Sequence, residues 1–60
     1  MDEQTFYELG GKIELEKGPK DTKVTVHLSG KSVMSWTGND GIEQTQKWCI
    51  ERLLIRLANA

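Results

Sequence analysis

Apolar residues recur in two rhythms along this chain. In Lys12-Ile13-Glu14-Leu15-Glu16 and in Val24-Thr25-Val26-His27-Leu28 they alternate with polar residues, the period of a half-buried strand. Gly18-Pro19-Lys20-Asp21 lies between the two runs as a turn, so they predict a hairpin. A second turn at Ser29-Gly30 leads into a third strand, Lys31 to Thr37. Gly38-Asn39-Asp40-Gly41 then breaks the sheet, and from Gly41 onward the spacing changes to that of a helix. Asp40 and Glu43 stand at capping-box spacing for its start.

Stepped at about 100° per residue, this helix has two apolar sides. Ile42, Cys49, Ile50, Leu53, Leu54 and Leu57 form one broad face. Trp48 and Ile55 fall together on the far side, flanked by Gln44, Arg52 and Asn59. A single small sheet can bury only the broad face. The narrow stripe therefore predicts contact with another protein or a second copy of this chain, unless the N-terminal segment covers it through Phe6 or Tyr7. Trp with a neighbouring Arg is a pairing favoured at interface centres.

The expected fold is α+β: a three- to four-stranded antiparallel sheet followed by one C-terminal helix, β-β-β-α, in a single domain. Strands are expected at about 5–16, 23–28 and 31–37, and the helix at about 41–59. Thr5 to Leu9 reads as a further strand or as the first half of one long strand, with Gly10-Gly11 as its bulge or bend.

The Ser29-Gly30 turn leaves a fork. A three-residue bulged loop puts Met34 and Trp36 on the core face with Val24, Val26 and Leu28. A two-residue loop flips the third strand, sends Val33 to the core and turns Met34 and Trp36 outward beside Thr25 and His27. Ser-Gly is not the Asn-Gly pair that favours the two-residue turn, so the bulged loop is preferred.

The chain has 60 residues with one cysteine and one histidine, which excludes an internal disulfide and leaves a His/Cys metal cage without ligands. A domain this small is marginally stable alone, so oligomerisation is the remaining staple. Eight basic and nine acidic residues give no overall pull toward nucleic acid or an anionic membrane. The polar, acidic opening Met1-Asp2-Glu3-Gln4 resembles no signal peptide, and a lone Cys suits a reducing compartment, so a cytoplasmic protein is expected.

Candidate chemistry is sparse. His27 has Ser29, Ser32, Ser35 and Asp21 as conceivable triad partners, but Gly-x-Ser-x-Gly is absent. Cys49 belongs to the broad apolar face and reads as a buried thiol. Gly10-Gly11-Lys12 lacks P-loop spacing, and Gly38-Asn39-Asp40-Gly41 lacks the ligand pattern of an EF-hand. No catalytic residue, cofactor or metal is expected.

Lys17, Lys20, Lys23 and Lys31 gather near the two turns, with Trp36 available for stacking, which keeps a small nucleic-acid-binding module as the alternative. The β-β-β-α order resembles, in topology alone and over about two thirds of the chain, the latter part of a double-stranded-RNA-binding domain. That family carries lysines at the start of this helix, where Asp40 and Glu43 stand here, and it begins with a helix where this chain reads as a strand. No functional residue is carried across.

The expected function is a non-enzymatic interaction module, a homodimer acting as an adaptor or inhibitor of another protein. Its size suits a virus- or mobile-element-encoded modulator of a host or defence protein. The dimer surface is left open among the helix stripe, sheet extension at a free edge and exchange of the N-terminal segment.

Overall fold

A computed structural model describes residues 3–59. The chain forms α1 (Glu3–Glu8), β1 (Lys12–Lys17), β2 (Asp21–Leu28), β3 (Lys31–Gly38), a 3-10 turn (Asn39–Gly41) and α2 (Ile42–Ala58). The strands make one antiparallel sheet in the order β1-β2-β3, so β1 and β3 are both edges. The α+β, β-β-β-α core of the fold is thus present, with three strands and an additional helix in front.

The opening segment is helical, which corrects the strand expected over Thr5–Leu9. Six residues are too few to nucleate a stable helix alone. Tertiary packing holds this one: Phe6 is fully buried against the core, with Tyr7 edge-on to it at 5.2 Å between ring centroids. Gly10-Gly11 is the helix cap and not a strand bulge. Gly10 has φ +91°, its N–H donates to the Tyr7 carbonyl at 3.1 Å, and the Gly11 N–H donates to Phe6 at 2.9 Å. That pair of bonds is the Schellman stop. Gly11 also permits the turn sterically, since a Cβ there would lie about 2.4 Å from the Phe6 ring.

The β2–β3 register settles the fork. Leu28 pairs with Lys31, Val26 with Val33, Val24 with Ser35 and Lys23 with Trp36. The loop is two residues, Ser29 at φ 54° and Gly30 at φ 77°, both left-handed as a type I′ turn requires. The bulged loop and the core placement of Met34 and Trp36 are therefore corrected. Val33 packs against the core, and Met34 and Trp36 lie exposed on the opposite face. A serine accepts a positive φ at modest cost, and Gly30 accepts it freely.

The core consists of Phe6 from α1, Val24, Val26 and Leu28 from β2, and Cys49, Ile50, Leu53 and Leu54 from α2. Ile13, Val33, Ile42 and Leu57 pack half-buried around it. The broad face of α2 thus packs as the sequence indicates, across β2 and β3. The expected capping box is absent: Gly41 occupies the N-cap position without a side-chain hydrogen bond. The 3-10 turn is instead tied to the sheet by the fully buried Thr22, whose Oγ1 donates to Asn39 Oδ1 at 2.9 Å. A Cβ on Gly41 would press on the Thr37 hydroxyl at about 2.6 Å, so glycine lets this turn close.

Replacing Ser29 with Asn supplies the residue that best tolerates this left-handed position. Ser29→Asn is expected to raise stability by up to about 1 kcal/mol. The check is a higher urea midpoint at unchanged m-value.

Candidate interaction surface

Exposed apolar side chains fall in two regions: Tyr7, Leu9 and Leu15 on α1, the turn after it and β1, and Met34, Trp36, Trp48 and Ile55 on β3 and α2. Met34 is 52% exposed, Trp36 58%, Trp48 48% and Ile55 50%. A two-residue hairpin closes on a hydrogen-bonded pair, here Leu28–Lys31, and such pairs then alternate along the ladder. The inward-bonding residues of β3 are therefore Lys31, Val33, Ser35 and Thr37. Ser32, Met34, Trp36 and Gly38 turn their N–H and C=O groups to the open edge. The Ser32 carbonyl shows this directly by accepting a bond from Arg56 Nη1 at 3.3 Å.

Helix α2 runs antiparallel to β3 beside this edge. Trp48 lines one shallow groove with Ser35, Gln44 and Thr45. It lines a second with Ser32, Val33, Met34, Arg52 and Arg56. Trp48 thus stands at the middle of a strip bounded by the helix on one side and the strand edge on the other. The Arg52 guanidinium lies over the Trp48 ring, 5.2 Å from its centroid, in cation–π geometry. Among the described residues, Phe6 and Tyr7 line neither groove. Ile55 continues the stripe one heptad on, while Gln44 and Asn59 lie exposed at its two ends. The Asn59 N–H closes the helix by donating to Ile55 O at 3.1 Å.

The loop lysines do not form one patch. Lys17 and Lys20 flank the β1–β2 turn, while Lys31 follows the β2–β3 turn at the other end of β2, an eight-residue strand spanning roughly 25 Å. Lys23 is occupied mid-sheet, with Nζ 3.2 Å from Glu16 Oε2 and 6.0 Å from the Trp36 ring centroid.

His27 meets Glu14, Nε2 to Oε1 at 3.0 Å, on the open face of the sheet. Ser32 is its cross-strand neighbour there. Ser35 points to the helix side and Asp21 pairs with Gly38 at the far end, so the conceivable triad partners are dispersed. Among the described residues no group of His, Cys, Asp or Glu side chains could hold a metal ion, and no helix is long and apolar enough to cross a membrane.

Comparison with protein-family models, with curated proteins and with solved structures gives no significant match to this chain.

The surface residue that sequence patterning missed is Ser32, together with the edge backbone itself, while exposed Met34 and Trp36 belong to the less preferred two-residue turn. Their exposure follows from the parity of a turn whose residues permit two readings. Cys49 is buried, and removal from water raises its thiol pKa, so little thiolate exists near neutrality. It should resist thiol reagents in the native state at pH 7–8 and react in step with unfolding. Labelling across a urea titration, compared with the fluorescence transition, measures this.

Proposed function

We propose that this chain is a non-enzymatic protein-interaction module. It self-associates along the outer stripe of α2 and presents the open sheet face to another protein as an adaptor or inhibitor. The observation that carries the reading is the gathering of Met34, Trp36 and Trp48, each about half-exposed, around one unpaired strand edge. Large exposed apolar side chains rimmed by arginine and polar groups fit a recognition surface better than a solvated one. Fully burying Trp48 and Ile55 adds about 1–3 kcal/mol each. That is a large fraction of the stability of so short a chain.

The open face joins Met34 and Trp36 to Glu14, Glu16, Lys23 and His27 by direct and diagonal pairing. A small apolar centre with charges of both signs around it suits a protein target more than a phosphate backbone. A virus- or mobile-element-encoded modulator of a host or defence protein is the biological setting that matches the size. Trp48→Glu is expected to shift a dimer to monomer with far-UV circular dichroism unchanged, as sedimentation across concentration would read. An unchanged molar mass in a protein shown to be dimeric would remove Trp48 from the contact.

One observation favours a second reading. The helix α1 extends the element order to α-β-β-β-α, the complete order of a double-stranded-RNA-binding domain. Against it stand the acidic start of α2, with Asp40 and Glu43, and the separation of Lys17 and Lys20 from Lys31. If that reading held, double-stranded RNA would bind at low salt and be lost steeply as salt rises. The interaction-module reading expects no RNA shift even at low salt.

A further inference from the structure

We infer that the second copy docks by antiparallel pairing of β3 with β3, the two-fold axis passing Ser35 and Trp48, so that two sheets become one of six strands. This rests on the self-association proposed above and fixes where and in what register it occurs.

The two sheet edges differ in kind. β1 carries Lys12, Glu14, Glu16 and Lys17 over six residues, and charges of this density block strand addition. β3 is uncharged from Ser32 to Gly38 and contains no proline. β3 is left as the template, and its Ser32 carbonyl, which accepts from Arg56 through one lone pair, keeps a second for a partner strand.

Register follows from parity. A partner strand can bond only to the outward residues Ser32, Met34, Trp36 and Gly38, and in a two-fold pair these must face one another. An axis at Ser35 matches all four: Ser32 with Gly38 of the second copy, and Met34 with Trp36 of the second copy, each twice. An axis at Met34 leaves Gly38 without a mate in the strand.

The helix is compatible with the same axis. Trp48 lines one groove with Ser35 and another with Ser32, Val33 and Met34, so it stands beside the middle of β3. Two antiparallel α2 helices related about Trp48 place Arg52 opposite Gln44 of the second copy, and Arg56 opposite Asp40 of the second copy. The strand register makes the same pairing. Arg56 sits at Ser32, Ser32 faces Gly38 of the second copy, and Asp40 follows that glycine by two residues. Among the described residues neither Arg56 nor Asp40 has an ion-pair partner within its own chain. The opposite charges therefore meet only in the dimer, twice by symmetry. The small Ser35 side chain leaves room at the axis for the paired Trp48 rings.

Oxidative cross-linking of Ser35→Cys tests the register. Across a non-hydrogen-bonded antiparallel pair the Cα atoms lie about 4.5 Å apart, within disulfide reach. The buried Cys49 of the parent chain is the control. The proposal expects a covalent dimer from Ser35→Cys and none from Met34→Cys or the parent. Met34→Pro, which removes an outward N–H while sparing every bond to β2, should stay folded and weaken dimerisation about tenfold or more. Arg56→Asp and Asp40→Arg should each weaken it, and the double exchange should restore it. A dimer that cross-links through Met34→Cys alone, or that survives Met34→Pro and yields no Ser35→Cys product, overturns this inference and leaves self-association standing. A folded protein that remains monomeric at every concentration overturns both.

Discussion

The parity of β3 is set by two left-handed residues, Ser29 and Gly30, and the rest of the surface depends on it. One more residue in that loop would send Met34 and Trp36 under α2 and expel Val33 and Ser35. The observed turn does the reverse. It places small side chains beneath the helix, which lets α2 lie close over β2 and β3, and it leaves the two largest side chains of β3 in water. A domain of this size has few apolar residues to spare. Keeping Met34 and Trp36 out of the core costs intrinsic stability, and Phe6 supplies part of the missing core from the opposite end of the chain.

Long periodic elements were legible from residues alone. The broad face of α2 packs inward through Cys49, Ile50, Leu53 and Leu54, and the stripe of Trp48 and Ile55 stays half-exposed, because seventeen helical residues give the period enough repeats to be unambiguous. The short elements were not. Thr5–Leu9 holds too few residues for any period to show, and its helix forms because Phe6 finds the core and Gly10 ends the turn. Gln4 and Glu8, bonded at 3.1 Å with helical i,i+4 spacing, were a local sign of that helix. The Ser-Gly turn was misread for a related reason. Its chemistry permits both loop lengths, and only the register, with Val26 opposite Val33, distinguishes them.

The candidate surface was half legible for the same cause. Its helical part, Trp48, Arg52 and Ile55, follows from periodicity. Its strand part does not, because the outward set Ser32, Met34, Trp36 and Gly38 is fixed only once the register is known. The lysines illustrate the converse. They cluster in sequence near the turns, but β2 separates the turns by its whole length, so proximity along the chain becomes distance in space.

Unequal edges also govern how far association can go. A sheet with two open edges would add copies without end, which is the usual hazard of exposed strands. Here β1 is charged and β3 is not, so the proposed pairing through β3 would consume both uncharged edges and leave two charged ones outside. In the dimer inferred above, the assembly would close at two copies. It would also set Met34 of each copy beside Trp36 of the other, turning two modest apolar spots into one stripe across the centre of the open face. The residues withheld from the core would then serve twice: their backbone would join the copies, and their side chains would build the surface that the joining completes.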